Sequence, residues 1–133
     1  MSEQEKEHLE TFDNMVVEYG VRPTILQPVW NVAGYALGFT SAVLGKEAAM
    51  ACTVAVETEI GEHYNSQLRT LLHPSFKDQH PELIDSIKKF RDDELHHLDV
   101  GIEHQAKSAP FYEALTFAVR SGTKAAIWLA KRF

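Results

Sequence analysis

The sequence holds a single cysteine, Cys52, in 133 residues. That excludes an internal disulfide framework and leaves the compartment open, a reducing one included. Cations are also scarce, 13 Lys and Arg against 19 Asp and Glu for a net charge of -6. They form no long run, which excludes recognition of nucleic acid by a basic surface. No secretory or transit peptide is visible, because the first ten residues carry four glutamates where transit peptides are poor in acid. The chain shows no glycine-rich dinucleotide fingerprint, no internal repeat, no low-complexity tract and no alternating strand pattern.

What the chain does have is helical patterning. With 44% hydrophobic residues, its length suits one domain over residues 1–133. Residues 3–19 read as a first helix, ended by Gly20 and the extended Val21-Arg22-Pro23 step. A second is expected from about 28 to 44, inside the uncharged stretch Pro23 to Gly45. Its prolines, glycines and polar residues make it a poor membrane span, and it reads as a buried hairpin helix, with membrane contact the alternative. A third helix runs from about Lys46 to Leu72, and a fourth from Pro81, which sits well in a first turn, to about Lys107. A fifth begins at Pro110 and extends nearly to the C-terminus. Five helices with short connections predict an all-α bundle.

Three of these helices aim carboxylates at their apolar faces. In the first, Leu9, Phe12, Val16 and Tyr19 form a stripe that also takes in Glu5 and His8. In the third, Glu57 is central to a face of Met50, Val54, Ile60, Tyr64 and Leu68, whereas Glu59, Glu62 and Arg69 fall off it and read as solubilising charges. In the fourth, Leu83, Ile87, Phe90, Glu94, His97 and Gly101 share a stripe while His96 points the opposite way. That placement selects Glu94 with His97 over the competing pair Asp93 with His96. An isolated buried carboxylate costs several kcal/mol unless it is neutralised, paired or bound to metal. Only Lys46 and Arg91 lie anywhere near, toward the edges. Carboxylate oxygens with one imidazole per ion suit iron or manganese, and the pattern is that of the di-iron carboxylate bundles, Glu-x-x-His on two helices and a lone Glu on others.

The stretches WNVAGYALG (30–38), LGKEAAMACTVAVE (44–57), HYNSQLRTL (63–71) and KKFRDDELHHLDVGIEH (88–104) resemble the demethoxyubiquinone hydroxylase family of ubiquinone biosynthesis, over essentially the whole chain. The resemblance implies a ferritin-like, membrane-associated di-iron monooxygenase that hydroxylates the ring of a polyprenylated methoxy-quinol with O2. It implies a peripheral place on the matrix side of the mitochondrial inner membrane. By position it implies Glu5, His8, Glu57, Glu94 and His97 as ligands of two iron ions. It makes His63 and Tyr64 candidates for the surroundings of the active site, in proton or electron delivery; a core aromatic is the alternative for Tyr64, and a helix-packing or ligand-supporting histidine for His63. In the family a further helix with a His-Ala-Gly-Glu-type motif precedes the first Glu-x-x-His and donates a fourth carboxylate. This chain starts after it, so the expectation is an N-terminally truncated bundle with an incomplete ligand set.

The resemblance further implies partners: the quinol, the membrane surface, and other proteins of the pathway, a lipid-binding one among them. The uncharged stretch 23–45 then reads as a way in for the polyprenyl tail. Arg120, Lys124 and Lys131 share a face of the fifth helix that would suit anionic head groups, the alternative being an ordinary amphipathic helix on a bundle. Gly34 and Gly38 allow close helix approach, a homo-oligomer included. The reductant is expected from outside the chain or through the quinone itself. Two other functions compete: a non-catalytic truncated form that binds lipid or biosynthetic partners, and an iron-handling bundle without a hydroxylation step.

Overall fold

Gly20 ends the first helix with the positive φ of 62° that a left-handed cap requires. The Gly20 amide reaches the Val17 carbonyl and the Val21 amide reaches that of Val16, which is the Schellman arrangement and satisfies two carbonyls the helix would otherwise leave open. In this computed structural model, which describes residues 2–133, the helices are α1 (Ser2–Glu18), α2 (Gln27–Val43), α3 (Lys46–Leu71), α4 (Pro81–Glu103) and α5 (Tyr112–Ala130). There is no strand among the described residues. The all-α expectation holds, with most helix boundaries within two residues of their predicted places.

The fourth helix is the exception. It stops at Glu103 instead of about Lys107, because Gln105 takes a left-handed φ of 66° and the chain tightens into a 3-10 turn, Ala106–Ser108. The turn places Ala106 and Ala109 in the core beside Ala51 and Val54 of α3, so tertiary burial outweighs the helical continuation. Phe111, at φ 55°, then turns the chain into α5.

Helix α3 is the axis of the fold, with α4, α5 and α2 packed around it. Its α4 side carries the main apolar cluster, Tyr64, Leu68, Ile84, Ile87 and Phe90, closed from α1 by Phe12. Burying a side chain such as Phe90 contributes about 1.5–3 kcal/mol. Small residues let helices approach elsewhere: a Cβ on Gly101 of α4 would lie 2.7 Å from Val54 Cγ2, a distance that forces repacking.

Two further expectations are overturned. Helix α2 is not buried: Ser41 is its one buried residue, while Val32, Tyr35, Phe39 and Val43 are 62–78% exposed. An uncharged composition allowed burial, but α2 meets α3 along a single side, and among the described residues no other helix covers its outer face. Glu59 is not a solvated charge either. It is 3% exposed, because α5 packs on the side of α3 opposite Glu57. There Arg120 Nε donates to Glu59 Oε1 at 2.5 Å, Lys124 approaches Glu59 at 3.5 Å, and Arg120 reaches Glu62 at 3.7 Å. Two of the three cations assigned to a lipid-facing stripe thus face an acidic pair on α3.

Candidate metal centre

The site is assembled from α1, α3 and α4. Single ligand atoms of Glu5, Glu57, Glu94 and His97 lie within 4.8 Å of one another, a spread that one ion with bonds of about 2.0–2.4 Å can span. His8 completes the predicted set: its Nδ1 is 3.2 Å from Glu94 Oε1 and 3.9 Å from Glu5 Oε2. His97 Nδ1 is 3.0 Å from Glu5 Oε1 and 3.4 Å from Glu94 Oε2. The structure brings all five residues together. Glu94 and His97 are buried, as is His8, and the ring of His8 lies 4.1 Å from that of Phe90. Glu5 differs from the inward reading, since its side chain is half exposed and forms the open side of the centre.

The donors fit a cation. His8 Nδ1, His97 Nδ1 and Glu94 Oε2 are buried and have no hydrogen-bond partner, although carboxylate oxygens stand close by. Such atoms are strongly disfavoured in an interior unless something positive satisfies them. The titration of the carboxylates carries the same message. Burial raises Glu57 to about 10, helped by its hydrogen bond to Glu94 and by the charges of Glu94 and Glu5. Burial also raises Glu5, with Glu94 adding to the effect. Without a cation the cluster retains a proton; a bound metal takes that proton's place.

His96 is exposed, in keeping with the choice of Glu94 and His97. Asp93, passed over as a ligand, accepts a hydrogen bond from His8 Nε2 at 3.0 Å. Gln4 accepts one from His97 Nε2 at 2.8 Å. Gln4 was not singled out in the sequence and Asp93 was weighed only as a ligand, yet each has a signal there: it stands immediately before the Glu of a Glu-x-x-His and four residues before a histidine, hence on the histidine's side of its helix.

Tyr64 sits in the apolar cluster, its ring stacked 6.3 Å from Phe12. Burial first, then the charges of Glu94, Glu5 and Glu57, push its phenol up from its ordinary value. His63 lies apart from the acid cluster. It lines a groove of about 670 Å³ between α3 and α5, with Arg69, Lys124, Trp128, Lys131 and Arg132, and a second of about 440 Å³ with Phe12, Leu83 and Ile87. Burial and the Lys131 charge lower it.

Residues 1–130 match the family model described as ubiquinone biosynthesis protein COQ7. The chain is 57% identical over 132 residues to "NADPH-dependent 3-demethoxyubiquinone 3-hydroxylase, mitochondrial" of Dictyostelium discoideum, covering 99% of this chain and 60% of that protein. It is 51% identical to the human protein of the same name, with the same coverage of both chains. It is 44% identical to "3-demethoxyubiquinol 3-hydroxylase" of Rhodospirillum rubrum, again over 99% and 60%. The chain therefore spans about three fifths of the length of these relatives. With a family model matched along nearly its whole length and relatives above 40% identity, this ferritin-like helical bundle belongs to the COQ7 family of ubiquinone biosynthesis proteins.

Proposed function

We propose that this chain is the metal-holding part of a di-iron monooxygenase that hydroxylates the ring of demethoxyubiquinol, a polyprenylated methoxy-quinol, with O2. The observation that carries the reading is the meeting of Glu5, His8, Glu57, Glu94 and His97 from three helices, with imidazole Nδ1 atoms and a carboxylate oxygen left without partners. These five residues would hold two iron ions, with room at the half-exposed Glu5 side for a further carboxylate. When bound, the irons would activate O2 so that one oxygen atom enters the ring and the other leaves as water.

The surrounding residues support a greasy substrate. An apolar groove of about 600 Å³ lies between α2 and α5, lined by Trp30, Leu37, Leu115, Val119 and Ala126 among others. A neighbouring hollow of about 390 Å³ shares Gly34, Leu37 and Val56 with it and reaches Glu57. Together they form a path along which a polyprenyl tail would lie while its head group meets the centre. No helix among the described residues is long and apolar enough to cross a membrane, so the exposed apolar face of α2 would rest on the bilayer surface. The relatives' names place those proteins in mitochondria, and the matrix side of the inner membrane is the location proposed for this chain.

The same names give NADPH as reductant. The α3–α5 groove is lined by Glu59 and Glu62 as well as by four cations and the Trp128 ring; with Lys124 held by Glu59, Arg69, Lys131 and Arg132 are the cations that would meet the phosphates of a dinucleotide, and Trp128 its flat rings. His63 borders that groove, and lowered as it is, it stays neutral near pH 7 and can accept a proton. Tyr64, raised by burial, keeps its phenolic proton beside the carboxylates and can donate it.

The test is anaerobic Fe(II) titration of the chain and of a version extended at its N-terminus with the corresponding segment of a relative, followed by NADPH-driven turnover of a short-tailed demethoxyquinone. About two irons per extended chain, lost in Glu57→Ala and Glu94→Ala, are expected. Iron binding in neither version would overturn the reading. Fe(II) oxidation indifferent to added quinol would mark an iron-handling bundle instead. Membrane or partner binding unaffected by Glu57→Ala, with no turnover, would mark a non-catalytic form.

A further inference from the structure

We propose that Gln4 and Asp93 form a single hydrogen-bonded bridge that orients both ligand histidines and ties the two Glu-x-x-His halves of the centre together. The inference rests on the metal-binding reading above. The two motifs read Gln4-Glu5-x-x-His8 and Asp93-Glu94-x-x-His97. In each, the residue before the glutamate crosses to the histidine of the other helix. Asp93 Oδ2 meets His8 Nε2 at 3.0 Å, Gln4 Oε1 meets His97 Nε2 at 2.8 Å, and Gln4 Nε2 donates to Asp93 Oδ1 at 3.1 Å.

With Asp93 ionised and both imidazoles neutral, the order of donors in this chain is fixed. An ionised carboxylate only accepts, so Asp93 requires a proton on His8 Nε2 and the amide nitrogen of Gln4 on its other oxygen. That fixes the Gln4 amide with Oε1 toward His97, which requires a proton on His97 Nε2. Both rings are thereby left with a lone pair on Nδ1, and both Nδ1 atoms face the carboxylates, at 3.2 Å from Glu94 Oε1 for His8 and 3.0 Å from Glu5 Oε1 for His97. The same atoms lack hydrogen-bond partners. A ligand histidine is oriented in this way by what its other nitrogen donates to. Here one bridge serves both.

The bridge is separable from the docking of α1, which Phe12 also secures against Phe90, with ring centroids 5.3 Å apart, and which Lys89 and Glu7 pair across. A near-isosteric swap tests it. In Asp93→Asn, one oxygen can still accept from His8, but the amide nitrogen then faces Gln4. Gln4 must turn its own oxygen to it and its amide nitrogen to His97, forcing His97 into the Nδ1–H form that cannot bind metal. In Gln4→Glu, two carboxylates oppose each other. In the double variant the carboxylate introduced at position 4 accepts from both His97 and the amide introduced at position 93, and both imidazoles again donate from Nε2.

Fe(II) affinity is expected to fall about 10–100-fold in each single variant and to return to within about threefold of wild type in the double. Metal-free melting temperatures of all three are expected to stay within a few degrees of wild type. The histidine ring ¹⁵N spectrum of the Zn(II)-loaded wild type is expected to show metal on Nδ1 and hydrogen on Nε2 for both rings. Wild-type affinity in Asp93→Asn, a double variant no better than the weaker single, or metal on Nε2 would each overturn the bridge while leaving the metal centre standing. A wild type that binds neither Fe(II) nor Zn(II) would overturn both. A single variant that fails to fold still leaves the wild-type ring spectrum to decide.

Discussion

Glu57 and Glu59 are the same residue two positions apart on one helix, both largely withdrawn from water, and they are compensated in opposite ways. Glu59 faces α5, where the chain's own Arg120 and Lys124 neutralise it. Glu57 faces α1 and α4, where its neighbours are Glu5, Glu94 and the imidazole of His97. The difference separates an ion pair that the fold completes from an acid cluster that it leaves open to a proton or a metal. A buried acid provided with a cation by its own fold is complete, and one surrounded by further acids is complete only with a proton or a metal.

The contrast can be tested from its strongest consequence downward. Glu57→Ala is expected to weaken Fe(II) binding by at least about 100-fold, equivalent to about 2.7 kcal/mol, whereas Glu59→Ala should leave it within about threefold of wild type; isothermal titration under argon decides. On the other face, Arg120→Met takes the short partner from a buried carboxylate. Unfolding in urea should show a loss of about 2–3 kcal/mol, below the about 3–5 kcal/mol of a fully broken buried pair because Lys124 remains.

A smaller effect is expected from pH. Glu57 in the folded, metal-free chain holds its proton to about 10, while an unfolded glutamate releases it near 4.5. Between those values the folded state binds more protons, so its stability falls as pH rises. The metal-free melting temperature should drop by about 4 °C or more from pH 5 to pH 8, on the order of 1 kcal/mol for a chain of this size, and Glu57→Gln should flatten the profile. Added Fe(II) reverses the sign, because the metal displaces the proton and binds better as pH rises. The smallest change is expected at Phe39→Ser on the exposed face of α2, within about 0.5 kcal/mol in stability, with a measurable loss of binding to anionic vesicles in a flotation assay.

How much of this was legible beforehand depended on whether one helix held the relevant information. Helical periodicity alone put Glu57, Glu94 and His97 on apolar faces and chose Glu94 over Asp93, since a single wheel shows which acid looks inward. It misread Glu59 because a wheel shows which residues oppose an apolar stripe and not whether a second helix covers that side too. It misread α2 for the converse reason: Val32, Tyr35 and Phe39 are apolar, but nothing in the order of residues says that a packing partner exists. Gln4 was missed because a neutral amide beside two stronger ligands announces nothing until the opposite helix brings His97 to 2.8 Å.

By itself the sequence determined where most of the helices begin and end and which acids and imidazoles share a side with an apolar stripe, because those properties follow from spacing along one stretch of backbone. Only the tertiary structure decided which inward faces meet. Whether a buried carboxylate finds a cation, as Glu59 does, or other carboxylates, as Glu57 does, depends on contacts between residues tens of positions apart, and Coulomb energy in a low-dielectric interior depends on those distances.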